Sequence, residues 1–192
     1  MPRIETETLA QHRDWRRNQL IEAAASIALE SGGAAVTVAA VAQRAGLSRT
    51  SVYEYFGSSA DLIADLVLEE LNNFAGYLHN AVADSQEPIE SISAWIQSAL
   101  TYIADGRHLL AKALNATSLP QERTAAIGAA HRALLAPLVA GLNSMGVRDT
   151  QRALLFIQAI TDASTKRIEG GHDAEAEIKS ATAFCIAGLT SI

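Results

Sequence analysis

A short stretch in the first third of the chain carries side chains that could recognise DNA. Arg49 and Thr50 follow Ser48, a good helix N-cap, and therefore fall at the start of a helix predicted over 49–56. An arginine there could donate two hydrogen bonds to guanine O6 and N7, and a threonine could hydrogen-bond to a base or contact a thymine methyl group. Phosphate oxygens could be held by neighbouring hydroxyls and helix N-termini, at Thr37, Ser48, Ser51 and Tyr53.

The residues around this stretch have the spacing of a helix-turn-helix. Ala42 is small enough for two helices to cross closely, and Gly46 can adopt the positive φ that turns the chain. Val52 would then pack back into the angle between the helices. The pattern predicts that helix 49–56 projects its outer face into a DNA major groove. It is also consistent with three helices that simply pack together, with the hydroxyls acting only as caps.

Apolar residues recur three or four positions apart along most of the chain, which predicts an all-α protein of about nine helices. Glycines, prolines and polar breaks place these helices at 15–31, 38–45, 49–56, from 58 to the break at 84–88, from that break to 106, and at 108–116, 118–145, 149–169 and 173–189. We predict a flexible N-terminal arm at 1–14, a helix-turn-helix DNA-binding domain at 15–58 and a larger ligand-binding and dimerisation domain at 59–192.

Composition limits the other classes of protein. The 192 residues are 49% hydrophobic and 19% charged, which is typical of a globular chain. The single cysteine excludes an internal disulfide framework and a cysteine-based zinc site. The chain has no phosphate-binding loop, dinucleotide fingerprint, zinc-protease motif or nucleophile elbow. We therefore predict a protein that is not an enzyme and has no cofactor or metal. No signal peptide and no apolar run of about 18 residues is present, which predicts a cytoplasmic protein without a membrane span.

Charge is distributed unevenly along the chain. The formal net charge is −6, but residues 1–58 carry six basic and six acidic side chains, and residues 59–192 carry nine basic and fifteen acidic ones. The first part could therefore lie against a polyanion, and the second would be repelled by it.

The run Thr37–Phe56, with the helix before it and Leu62 after it, resembles the N-terminal domain of the TetR family of bacterial transcriptional regulators. The resemblance covers residues 15–66. It implies base-reading roles for Arg49 and Thr50 and a phosphate contact for Tyr53. It also implies DNA contacts at four further positions, namely Val38, Ala39, Tyr55 and Ser59.

This sequence departs from the family pattern at two positions. Thr50 stands where the family usually has glycine or another small residue, and Ser59 stands where it usually has lysine. The missing lysine predicts a weaker dependence of DNA binding on salt. Arg13, Arg16 and Arg17 could compensate by contacting the DNA backbone or minor groove, or they could be solvated surface residues.

The larger domain is expected to bind an unknown small-molecule effector and to form a homodimer, as the resemblance implies. Residues 154–157 are apolar on all sides, and the last helix is rich in small residues, so the last two helices are the predicted dimer surface. Cys185 lies there and is expected to be a core residue. Candidate pocket residues are the aromatic or polar side chains on otherwise apolar helices: Trp95, Tyr102, His108, Asn115, His131 and Phe156.

The sequence therefore predicts a dimeric repressor that binds a palindromic double-stranded DNA operator and is released by a small molecule. The alternative is a helical dimeric small-molecule-binding or interaction protein that has lost specific DNA binding. Sequence-specific DNA retention separates the two.

Overall fold

The computed structural model describes residues 6–114 and 119–190. Nine α-helices and no strand lie within this part of the chain, which confirms the predicted all-α class. The helices are α1 (Thr6–Ser31), α2 (Val38–Arg44), α3 (Arg49–Tyr53), α4 (Ser59–Val82), α5 (Pro88–Ala104), α6 (Leu109–Leu114), α7 (Thr124–Ser144), α8 (Thr150–Glu169) and α9 (Ala174–Leu189). Short 3₁₀ turns occupy Gly33–Ala35 and Gln121–Arg123.

Three helix boundaries differ from the prediction by three residues or more. α1 begins at Thr6, so residues 6–14 of the predicted flexible arm are helical. This segment has no glycine or proline to break a helix, but it also lacks the apolar stripe that would have revealed one. α3 ends at Tyr53 rather than Phe56. α7 begins at Thr124, after the turn that follows Pro120.

The helices form two compact units. The first comprises Met1–Glu70 and Leu110–Ile127, and the second comprises Leu71–Leu109 and Gly128–Ile192. α4 and α7 each begin in the first unit and end in the second. These contact-based limits differ from the functional division that the sequence suggests after residue 58, which stays a prediction.

The first unit is built around one apolar core. α6 contributes Leu110 and Leu114 to this core, although it lies far along the chain from α1–α4. Burial of these leucines explains why 110–127 groups with the N-terminal helices. The core also contains the buried side chains of Leu20, Val41, Val52, Phe56, Leu62 and Leu66.

The second unit has its own core, in which α5 and α7 approach closely. At Gly141 an added Cβ would lie 2.9 Å from Ile92 Cγ1, and Ile92 is fully buried. Glycine is therefore needed for the α5–α7 contact. The largest fully buried residues of this core are Leu78, Ile92, Ile96, Leu100, Leu138, Leu142 and Ile157.

One segment among the described residues, Gln121–Ser144, is long and apolar enough to cross a membrane by length and composition alone. This segment was not predicted from sequence, because polar residues interrupt its apolar run. Its leucines Leu134, Leu138 and Leu142 are buried in the second core. A single segment of this kind is weak evidence for a membrane span, because core helices of soluble proteins can have the same length and composition.

Candidate nucleic-acid interface

α2 and α3 form the helix-turn-helix that the alanine, glycine and valine spacing predicts. Ala42 and Val52 are buried where the two helices meet. Gly46 adopts a φ of +67°, a left-handed conformation that favours glycine. The turn closes through a hydrogen bond that Leu47 N–H donates to the Ala42 carbonyl over 2.9 Å. The outer face of α3 is thereby presented away from the core.

Both helices of the motif are capped by the predicted hydroxyls. Thr37 Oγ1 accepts a hydrogen bond from Ala40 N–H over 3.1 Å. Ser48 Oγ accepts one from Ser51 N–H, also over 3.1 Å, and lies 3.0 Å from Ser51 Oγ. These hydroxyls stabilise α2 and α3 whether or not DNA is bound.

The predicted base-reading side chains are accessible. Arg49, Thr50 and Tyr53 are all exposed on α3, Tyr53 to 56%. Within the described part of the chain, Arg49 has no ion pair or hydrogen-bond partner for its guanidinium. Its five donors are therefore available to another molecule.

The two apolar positions at the start of α2 differ in access. Val38 is only 8% exposed and packs in the first core, whereas Ala39 is partly exposed. The expected van der Waals contact with DNA is therefore open to Ala39 and largely closed to Val38.

Two arginines among residues 6–58 are held in intramolecular ion pairs. Arg44 makes a two-pronged contact to the carboxylate of Glu30, with both N–O distances 2.6 Å, and also donates to Ser26 Oγ. This hydrogen bonding raises the pKa of Arg44 and lowers the pKa of Glu30. Arg17 Nη2 lies 2.6 Å from Asp65 Oδ2. Of the three arginines considered as DNA contacts, Arg17 is thus already paired within the protein.

The head of α4 departs from the expected phosphate site in a second way. Ser59 is partly exposed, and its neighbour Ser58 caps the helix by accepting from Asp61 N–H over 3.1 Å. The Ser58 hydroxyl also donates to Asp61 Oδ2 over 2.8 Å. The Asp61 carboxylate is therefore held against Ser58, the residue before the position where the family usually has a lysine.

Tyr55 faces a small cleft beside α1. The guanidinium carbon of Arg13 lies 6.0 Å from the Tyr55 ring centroid. Residues His12, Arg13, Glu54 and Tyr55 line a cavity of about 350 Å³. The predicted start of α1 at residue 15 left Arg13 outside the helix, so its approach to Tyr55 was not predicted.

The predicted effector residues within the described part of the chain differ in burial and in partners. Trp95 is buried, and its indole N–H donates to the Leu134 carbonyl over 3.1 Å. Tyr102 is buried and stacks on Phe74 with ring centroids 4.3 Å apart. His131 is exposed, Phe156 lies on the surface of α8, and Asn115 lies outside the described residues.

The turn between α5 and α6 brings Arg107 and His108 against aromatic and acidic side chains. The sequence predicted only part of this cluster. The Arg107 guanidinium lies 4.6 and 4.5 Å from the ring centroids of Tyr77 and Tyr102. His108 Nε2 lies 2.8 Å from Glu169 Oε1, whereas its buried Nδ1 has no hydrogen-bond partner among the described residues. His108 was predicted as a pocket residue, but neither Arg107 nor Tyr77 was.

α8 and α9 expose large apolar side chains on a shared surface. Phe156 and Phe184 are 58% and 69% exposed. They border an apolar groove of about 450 Å³ that reaches the buried Cys185. Burial raises the pKa of the Cys185 thiol to about 11. A contiguous apolar surface of this kind is typical of a protein–protein contact.

Comparisons with known proteins agree with this arrangement. Residues 20–66 match the sequence model of a family described as "Bacterial regulatory proteins, tetR family". The HTH-type transcriptional regulator BetI of Brucella canis is 35% identical over 96 residues, which cover 50% of this chain and 46% of BetI. The aligned region thus spans about half the length of that relative.

Solved structures share the fold over most of the chain. The regulator FadR of Bacillus subtilis, solved in complex with stearoyl-CoA, has a TM-score of 0.71 at 21% identity, covering 88% of this chain and 97% of FadR. A transcriptional regulator from Pseudomonas aeruginosa PAO1 has a TM-score of 0.74 at 18% identity, covering 93% and 92% of the two chains.

Proposed function

We propose that this protein, whose residues 20–66 match the sequence model of the tetR family of bacterial regulatory proteins, is a repressor that binds a palindromic operator as a homodimer and is released by a small molecule. The observation that carries the proposal is the exposed face of α3. It presents Arg49, Thr50 and Tyr53 on a helix whose position is set by the turn at Gly46.

The proposed DNA contacts fall into two groups. Arg49 and Thr50 read base edges in the major groove, because they occupy the first turn of α3. Phosphate contacts position the motif and come from hydroxyls and helix N-termini at Thr37, Ser48, Ser51, Tyr53, Tyr55 and Ser59. Ala39 adds an apolar contact at the start of α2.

The proposed dimer forms through the exposed surface of α8 and α9. Phe156 and Phe184 would each be buried against the partner's copy of this surface, as a two-fold axis requires. An obligate interface of this kind buries on the order of 2,000 Å² or more. The two copies of α3 would then enter successive major grooves of an inverted repeat.

A small-molecule effector is proposed to release the protein from its operator. FadR of Bacillus subtilis, which shares the fold, was solved with stearoyl-CoA, so a protein of this architecture can hold a small molecule. An effector that favours a dimer with misplaced reading helices would lower operator affinity. Since coupling is reciprocal, operator DNA would weaken effector binding by the same factor.

Selection of bound sequences from a random duplex library tests the proposal. It should be run at about 150 mM salt, where non-specific phosphate binding is weak. Enrichment of an inverted repeat is the expected result, and in a parallel selection Arg49→Ala should lose the preference at one base pair of each half-site. No enrichment from protein shown to be folded and dimeric would overturn it.

A second candidate function is a helical ligand-binding dimer that has lost specific DNA binding. It is favoured by the charge at the motif, where Ser59 replaces a cation, Asp61 adds a carboxylate, and Arg17 and Arg44 are paired internally. A failed selection together with thermal stabilisation by a small molecule would support this candidate.

A further inference from the structure

The aspartate Asp65 on α4 binds two arginines from different parts of the first unit. Its Oδ2 accepts from Arg17 Nη2 of α1 over 2.6 Å, and its Oδ1 lies 3.0 Å from Arg123 Nη2. The Asp65 side chain is only 13% exposed, so both contacts are partly shielded from solvent. Each carboxylate oxygen therefore has its own guanidinium partner.

Both arginines are connected to elements with a role in the proposed function. The Arg17 guanidinium carbon lies 5.6 Å from the ring centroid of Phe56, the buried residue that follows the DNA-reading helix by three positions. Arg123 is the last residue of the 3₁₀ turn that leads directly into α7. α7 then continues into the second unit, where Leu134, Leu138 and Leu142 lie in the core.

From this arrangement we propose that Asp65 is a positioning residue for operator recognition, through which the base of α7 holds α1 and the end of α3 in the DNA-reading arrangement. The inference rests on the proposed function. A displacement of α7 along its axis would move Arg123 and strain its contact with Asp65. Because the carboxylate also holds Arg17, the strain is passed to the residues packed on Phe56.

The competing explanation is that the three charges only stabilise the first unit. In that case their removal lowers the free energy of unfolding and reduces binding to every DNA by the same factor. A positioning role predicts a selective loss, in which affinity for the operator falls and affinity for an unrelated duplex does not.

The test measures binding of the full-length protein to its selected operator and to a scrambled duplex of the same length, by fluorescence anisotropy at fixed salt. Arg123→Gln should lower the ratio of the two affinities by about fivefold, and Arg123→Lys should restore most of it. Arg132→Gln is the matched control, because it also removes one positive charge, at an exposed residue of α7 that has no ion pair in the described structure. Its ratio should equal that of the wild type.

A double-mutant cycle links the effect to Asp65. In an Asp65→Asn background, Arg123→Gln should have no further effect on the ratio. The inference is overturned if Arg123→Gln matches Arg132→Gln, if both duplexes lose affinity equally, or if the two substitutions are additive. A wild-type protein that prefers no sequence would instead overturn the proposed function, and the inference with it.

Discussion

At the scale of single residues, the proposed DNA affinity depends on which cations remain available. Arg17 and Arg44 are each within 2.6 Å of a carboxylate oxygen and are committed to the fold. Arg49 is exposed on α3 without such a partner in the described structure. Sequence alone could not separate them, because Asp65 and Glu30 are brought to their partners only by the tertiary packing.

Arg49→Ala tests the base-reading role. We expect operator affinity to fall by about 1–3 kcal/mol and the preference at one base pair of each half-site to relax. Binding to a set of operators with single substitutions measures both effects. An equal loss on all sequences would mean that Arg49 contacts phosphate instead.

Tyr53→Phe tests the phosphate role of the neighbouring hydroxyl. The ring remains and only one hydrogen-bond donor is lost, so binding should weaken by about 0.5–1.5 kcal/mol without a change in sequence preference. A repeated library selection with the variant checks this, and a shifted consensus would contradict the assignment.

Ser59→Lys should recover the charge that the family usually has at the head of α4. The plot of log affinity against log salt should steepen by about 0.9 per phosphate contacted. Titrations at several salt concentrations measure the slope. An unchanged slope would indicate that residue 59 does not face phosphate, or that Asp61 neutralises the new cation.

At the scale of helices, α7 meets α5 closely at one position, Gly141. The added Cβ would meet the buried Ile92 and lie 3.4 Å from the Pro88 carbonyl oxygen. Sequence alone does not distinguish Gly141 from the other glycines among the twelve in the chain. Its closeness to Ile92 arises only where α7 packs on α5.

Gly141→Ala should therefore destabilise the protein, by about 1–3 kcal/mol, through overpacking. Gly76→Ala is the matched control, because Gly76 lies in the exposed part of α4 with nothing within 4 Å of an added Cβ. The control should instead stabilise the protein by about 0.5–1 kcal/mol. Urea unfolding of both variants measures the difference, and equal effects would contradict the packing argument.

Helix type and order could be predicted from sequence because apolar spacing and capping residues act locally. Thr37, Ala42 and Gly46 located the helix-turn-helix for this reason. The start of α1 was missed because its first residues show no apolar stripe to mark them. The Asp65 ion pairs were also missed, since Arg17 and Arg123 lie 48 and 58 positions from Asp65 in sequence.

At the scale of the whole molecule, the proposed dimer forms through the exposed surface of α8 and α9. Phe184→Glu would place a charge in the proposed apolar interface and should convert the dimer to a monomer. Sedimentation velocity measures the change. Leu29→Glu is the control, because Leu29 is 56% exposed on α1 and does not line the groove that Phe156 and Phe184 border. A dimer that survives Phe184→Glu would assemble through another surface.

The first unit is discontinuous in sequence, and this affects how the protein can fold as it is synthesised. Its core needs Leu110 and Leu114 as well as the N-terminal helices. When residue 66 has left the ribosome, the region matched by the family is complete, but α6 has still to be translated. Until then the leucines of α1 and α4 lack part of their cover, and the nascent chain exposes apolar surface that chaperones recognise. Synthesis must therefore pass well beyond the proposed DNA-reading residues before the core that supports them is complete.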